Sequence, residues 1–252
     1  MMRKYGLIGY PLGHSFSQKY FTEKFAREQI TNCSYHNFPI EDISLLPGLI
    51  KGDHEVCGLN VTIPYKTQVL RYIDIAESEV NEIGAANVLK LKRINDGSVR
   101  IYGFNSDVTG IRDSITPVLT PEIKNVLILG TGGSSNAVFH TMKKLGLNIM
   151  LVSRERKHNI LSYKDLGSDI LTSTDIIINT TPLGMFPEIS GKPDINYDHL
   201  QEKHILFDLV YNPEETAFLK EGKKRGCKII PGLKMLYSQA ERSWEIWNDP
   251  DL

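Results

Sequence analysis

The sequence predicts an α/β protein, and three observations carry that prediction. Short apolar runs alternate with helix-period stretches along nearly the whole chain, the pattern of strands interleaved with helices. One segment, NVLILGTGGSSNAVFHTMKKLGLNIMLVSRER, is a complete strand-helix-strand unit with glycines at its first turn. The 252 residues, 41% hydrophobic and 23% charged, are enough to bury the core of one large domain or two small ones.

Taken in order, KYGLIGY reads as a strand and FSQKYFTEKFAREQ as a helix. VCGLNVTIP is the next strand. Val61, Thr62 and Ile63 are β-branched in a row, and Pro64 stops the ladder because it has no N–H to donate. Lys66 follows two residues later. A strand that ends at a proline beside a helix start is where α/β proteins hold catalytic groups, since the element fixes the backbone while its end faces a cleft. Taken alone, a solvated lysine in a first helical turn is the simpler reading. ANVLKLK and VRIYGF form two strands joined by the turn RINDGS, and DVTGIRDSI is a helix. TPVLTPEIK, with two prolines, reads as a connection between domains.

The strand-helix-strand unit runs from Val126–Leu129 through Gly130, Gly132 and Gly133 into a helix from about Ser134 to Leu145, then a strand at Ile149–Val152. Glycine at that turn lets a pyrophosphate approach the helix N-terminus, whose free N–H groups and dipole favour an anion. The pattern is GxGGxS, with Ser135 where the common fingerprint has its third glycine. At the end of the second strand stand Ser153, Arg154, Glu155, Arg156 and Lys157, where an NAD-binding unit carries an acidic residue. A guanidinium there grips a 2′-phosphate, so the cofactor expected is NADP. DIIINTTPLGM gives a strand at Ile176–Ile178 opening into Asn179, Thr180, Thr181, Pro182 and Gly184. HILFDLVYNPEET repeats the design, with a strand ending near Asp208 and Tyr211 and Pro213 opening a helix. Both loops follow strands, on the edge where open α/β sheets bind ligands. PGLKMLYSQAERSWEIW is a helix from about Leu233 whose stripe is Leu236, Ala240, Trp244 and Trp247, with Gln239 beside it.

A formal net charge of -1 leaves no basic field for nucleic acid or an anionic membrane. No stretch has the pattern of a signal peptide or the length of a membrane span, so the expected compartment is the cytoplasm. Cys33, Cys57 and Cys227 are odd in number and widely separated, and the seven histidines have no ligand spacing, so neither a disulfide framework nor a metal site is expected.

Together these motifs resemble the shikimate dehydrogenases over nearly the whole chain. The family's opening glycine, proline and His-Ser-x-Ser look like GYPLGHSFS, and its strand-proline-lysine is similar to NVTIPYK. Its Asn after Gly-Ala matches Asn87 in GAANV, and its Asn-Thr-Asp-x-x-Gly matches Asn105, Asp107 and Gly110 in NSDVTG. The glycine loop, the arginine after the second strand, NTTPLGM, DLVYNPEET and GLKMLYSQA recur in order. The departures are Phe16, Gln18, Lys19, Val88, Ser106 and Ser134.

The resemblance implies reversible reduction of 3-dehydroshikimate to shikimate by NADPH, a step of aromatic amino acid biosynthesis. It implies Lys66 and Asp107 as the catalytic pair: a lysine ammonium can donate the proton and stabilise the alkoxide, Asp107 across the same cleft would hold a substrate hydroxyl and orient the lysine, and the resemblance leaves open which of the two carries the proton at each stage. Ser15, Ser17 and Tyr211 would hold the substrate carboxylate, and Asn60, Thr62, Asn87 and Gln239 its ring hydroxyls. The implied cofactor contacts are Gly130, Thr131, Gly132, Gly133, Ser134, Ser153, Arg154, Arg156, Thr180, Thr181, Pro182, Val210, Gly232 and Met235. The implied fold has two α/β domains. A substrate domain spans 1–107 and is completed by the C-terminal helix 231–252, and a Rossmann-type NADP-binding domain spans 108–230. The expected partner is the small-molecule substrate alone, in a monomer or homodimer.

Overall fold

A computed structural model describes residues 2–12 and 16–252. The chain forms two compact units, Met1–Ser106 with Ala240–Leu252, and Asp107–Gln239.

The first unit contains β1 (Arg3–Gly9), α1 (Phe16–Arg27), β2 (Cys33–Pro39), α2 (Leu46–Gly52), β3 (Val56–Val61), β4 (Ile75–Ala76), α3 (Ser78–Ile83), β5 (Val88–Arg93) and β6 (Val99–Phe104). Its mixed sheet has the order β2-β1-β3-β5-β6-β4. β2, β1 and β3 are parallel, and β5 is antiparallel to both β3 and β6. Successive side chains of a strand take opposite faces, and β1 divides the core accordingly. Ile8 joins Leu59, Val61, Leu89 and the α2 residues Leu46 and Ile50 on one side. Tyr5 and Leu7 join Phe21 and Phe25 of α1 and Trp247 of the C-terminal segment on the other. Trp247 stacks on Tyr5 at 4.7 Å and donates its indole N–H to the Leu89 carbonyl at 3.0 Å. Gly58 makes room for it, because a Cβ there would lie 2.4 Å from the indole.

The second unit contains α4 (Asp107–Ile115), β7 (Asn125–Leu129), α5 (Gly133–Lys144), β8 (Asn148–Ser153), β9 (Leu161–Ser162), α6 (Ser168–Ser173), β10 (Ile176–Asn179), β11 (Ile205–Asp208), α7 (Ala217–Lys224), β12 (Lys228–Ile230) and the start of α8 (Leu233–Asn248). Its sheet is wholly parallel, in the order β12-β11-β10-β7-β8-β9. Numbered within the unit this is 3-2-1-4-5-6, the doubly wound dinucleotide-binding order, whose direction reverses between β7 and β10. The central strands are largely apolar because both faces are covered. Val126 to Leu129 and Ile176 to Ile178 are all buried.

Three sequence expectations change. The helix expected to open at Pro213 begins at Ala217, where the Thr216 hydroxyl caps it by accepting the Leu219 N–H at 3.3 Å. The segment 116–124, read as a connection between domains, lies inside the second unit, where Thr116–Val118 is a short 3-10 turn. The sequence placed the divisions after residues 107 and 230, whereas the units separate after Ser106 and within α8, after Gln239. The beginning of α8 belongs with α4 because Gly110 packs on it, with space for a Cβ only 2.5 Å from the Met235 carbonyl oxygen. Among the described residues no helix is long and apolar enough to cross a membrane.

Candidate active site

In the first unit the ends of β1, β3 and β6 and the start of β5 share one edge of the sheet, since Asn60 pairs with Val88 and Val88 with Phe104. Asn60, Thr62, Lys66 and Asn87 all lie along this edge. The turn after β3 is pinned from several sides. Thr62 donates its N–H to the Ile8 carbonyl, Tyr65 to the Thr62 carbonyl, and Ala86 to the Lys66 carbonyl at 2.8 Å. The buried Tyr65 hydroxyl donates to the Ile40 carbonyl at 2.7 Å. Lys66 is half-exposed on this fixed backbone, two residues before a short 3-10 helix at Gln68–Tyr72 rather than in a first α-helical turn. Gly9 lets the chain after β1 pass against Thr62, whose methyl would lie 2.5 Å from a Cβ.

Behind this edge runs a line of hydrogen-bonded side chains. Burial pushes the Tyr35 phenol far above its usual range, while its hydrogen bond with Ser17 pulls the other way. That phenol donates to Asn60 Oδ1 at 2.8 Å, and Asn60 Nδ2 donates to Ser243 Oγ at 2.9 Å. Ser243 meets Ser106 at 3.2 Å. The Asn87 carboxamide accepts the Ser106 N–H at 2.7 Å and donates to its hydroxyl at 3.1 Å. Ser17, Asn60 and Asn87 are thus tied through Tyr35, Ser106 and Ser243, and Asn60 turns much of its hydrogen-bonding capacity inward. Ser15 lies outside the described residues.

In the second unit the turn after β7 sits at the point where the strand order reverses. Gly130 has φ +118°, in the region that disfavours side chains, and a Cβ there would lie 2.4 Å from Thr180 Oγ1. Thr180 comes this close because its N–H and hydroxyl both donate to the Leu129 carbonyl, at 2.9 and 2.7 Å. Gly132 is the N-cap of α5 with no side-chain cap, and a Cβ on it would meet nothing within 4 Å. An uncapped helix N-terminus behind an open glycine suits a phosphate. Ser135 is buried and donates to the Gly130 carbonyl at 2.7 Å, so it fills the third glycine position by folding into the loop. Gly232 is close-packed under the Leu209 and Val210 carbonyls, which a Cβ would approach to 2.6 and 2.8 Å, and Met235 is buried one turn into α8. Asp107 is buried at the first position of α4, and Tyr211 is half-buried, its phenol pushed up by burial. Gln239 is half-buried on α8.

The cations after β8 differ in their surroundings. Arg156 pairs with Asp165 at 3.2 Å, and the Ser153 hydroxyl donates to the Glu155 carbonyl. Arg154 is exposed and has no ion pair among the described residues.

The chain matches the family model described as the shikimate dehydrogenase substrate binding domain over residues 7–89. It is 35% identical to the shikimate dehydrogenase (NADP(+)) of Methanococcus aeolicus, with 98% of this chain and 93% of that one covered. The chain belongs to the shikimate dehydrogenase family. Solved members share its fold. Shikimate dehydrogenase 1 of Peptoclostridium difficile is 36% identical, with a TM-score of 0.83 over 98% of this chain and 92% of its own. Shikimate 5-dehydrogenase of Thermus thermophilus, in complex with NADP(H) and shikimate, is 27% identical, with a TM-score of 0.82 over 98% of this chain and 94% of its own.

Within this shikimate dehydrogenase chain, Tyr35 and Ser243 escaped the sequence reading. Tyr35 lies 25 positions from Asn60, and Ser243 lies 183 positions from it. No local pattern links residues so far apart. The one available signal is that Ser243 stands one residue before Trp244 of the apolar stripe, a polar side chain at the margin of a buried helix face.

Proposed function

We propose that this chain catalyses the reversible reduction of 3-dehydroshikimate to shikimate by NADPH, with the cofactor on the second unit. The observation that carries the reading is the likeness, over almost the whole chain, to NADP-dependent shikimate dehydrogenases, with each motif of that family in place. Supporting it are the 3-2-1-4-5-6 sheet and the open glycine turn before α5, which suit a dinucleotide. NADPH supplies a hydride. The ketone that accepts it develops negative charge on oxygen, and the Lys66 ammonium stabilises that charge and supplies the proton. Asp107 accepts a substrate hydroxyl. Ser15, Ser17 and Tyr211 donate to the substrate carboxylate, while Asn60, Thr62, Asn87 and Gln239 meet its hydroxyls. Thr131, Gly132, Gly133 and Ser134 take the pyrophosphate at the α5 N-terminus. Gly130, Thr180, Thr181, Pro182, Val210, Gly232 and Met235 shape the rest of the cofactor surface. Ser153, Arg154 and Arg156 take the 2′-phosphate, with Arg154 foremost because Asp165 already occupies Arg156. Steady-state kinetics of the purified chain, varying shikimate and NADP separately, test the division of roles. Ser17→Ala should raise the Michaelis constant for shikimate alone. A rise in the NADP constant instead would overturn the assignment.

A further inference from the structure

β10 and β11 end side by side, with Asn179 and Asp208 paired in register and both fully buried. Asp208 Oδ1 accepts Asn179 Nδ2 and the Val210 N–H, each at 3.0 Å. Its Oδ2 accepts the Thr216 hydroxyl at 2.6 Å. Asn179 carries the connection onward, since its Oδ1 accepts the Thr181 N–H at 3.0 Å and hydroxyl at 2.6 Å, and its Nδ2 reaches the Leu183 carbonyl at 3.3 Å. One carboxylate therefore holds the loop after β10 through Asn179, and the loop after β11 near both of its ends.

We propose that Asp208 is a positioning residue that fixes these two loops, and with them Thr180, Thr181, Pro182 and Val210, in the arrangement that binds NADP. The inference rests on the proposed cofactor assignment of those loops. Asp208 has no ion pair among the described residues, so its burial is uncompensated by a cation. Burial pushes its carboxyl up to about 6, against the bonds from Thr216, Val210 and Asn179 that pull it down. Three donors converge on it, and only a carboxylate offers acceptors on both oxygens with no donor of its own. An amide at this position turns an N–H toward one of those donors and releases one loop. Asn179 is set by the same logic: with its amide given to Asp208, its oxygen is turned toward Thr181.

The test is direct titration of the full chain with NADP, by calorimetry, for wild type, Asp208→Asn, Thr216→Val and Thr216→Ser, alongside thermal melts. Asp208→Asn and Thr216→Val should each weaken NADP about tenfold, the effect of one lost charge-assisted hydrogen bond. Thr216→Ser keeps the hydroxyl and should bind NADP within about twofold of wild type. Wild-type affinity for NADP in Thr216→Val would overturn the inference, whatever its melting temperature, by showing that the network serves stability alone. Thr216→Val decides the matter if Asp208→Asn fails to fold. Failure of the wild type itself to bind NADP is a separate result, which overturns the cofactor assignment and this inference with it.

Discussion

Replacing Lys66 with alanine removes the proposed proton donor but leaves the backbone that carries it, because the turn is held through the Lys66 carbonyl and the Tyr65 side chain. Turnover should fall on the order of 10² to 10⁴, with NADP affinity unchanged. Near-normal turnover of the folded variant would remove Lys66 from the chemistry. At the cofactor end, Arg154→Ala should weaken NADP several tens of fold, roughly the worth of one charge-assisted contact, and leave NAD little changed. Arg156→Ala should weaken NADP less, since its guanidinium already faces Asp165. Equal losses for NADP and NAD would mean that Arg154 does not read the phosphate. Residue types and spacing made both arginines candidates for the 2′-phosphate. Their unequal surroundings were not legible, because Asp165 lies nine residues beyond Arg156 and meets it only in the folded chain.

The glycine turn shows two adjacent roles that substitution can separate. Alanine at 130 meets both a φ of +118° and Thr180 Oγ1 at 2.4 Å, which together should cost at least about 1–3 kcal/mol of stability. Alanine at 132 has an ordinary φ of -88° and open space around its Cβ, so the melting temperature should hold while NADP binding weakens. Should Gly132→Ala bind NADP like the wild type, the pyrophosphate does not approach there. In the first unit, Tyr35→Phe removes the donor to Asn60 Oδ1 and should raise the Michaelis constant for shikimate about tenfold, leaving that for NADP alone. Elements with a clear period were legible. β7, α5, β8 and β10 are continuous apolar runs or sharp glycine turns, and their strongest determinants are local. β2, written CSYHNFP, escaped because it buries Cys33 and Tyr35 but leaves Ser34, His36, Asn37 and Phe38 only half-covered, so its alternation is weak. The start of α7 was misplaced because Pro213 is an ordinary first helical residue in isolation, whereas Thr216 is held to the buried Asp208 and caps the helix three residues later.

Across the whole molecule, pH should act on stability in two opposite senses. Asp208 has its carboxyl raised from 3.8 to about 6 by burial, so its stabilising contribution is full below pH 3.8 and is lost as pH rises through 6. Two pKa units correspond to about 3 kcal/mol, lost between roughly pH 4 and 7. Glu221 is lowered from 4.5 to about 2 by Lys192 and Arg225, so its contribution is present above 4.5 and lost as pH falls through 2. Urea unfolding of wild type and Asp208→Asn from pH 4 to 7 should show their stability difference shifting toward the variant as pH rises. A constant difference would contradict the account. At this scale the α/β class and the doubly wound second sheet were legible, because a strand-helix-strand unit with its glycines is contiguous. The division within α8 was not, because it depends on Gly110 meeting Met235 across 125 positions. The central claim is the reaction itself, and the most direct measurement follows nicotinamide absorbance with shikimate or quinate against NADP or NAD in all four pairings. The account predicts that shikimate with NADP is by far the fastest pair. No turnover of shikimate, or turnover with NAD equal to that with NADP, would contradict it.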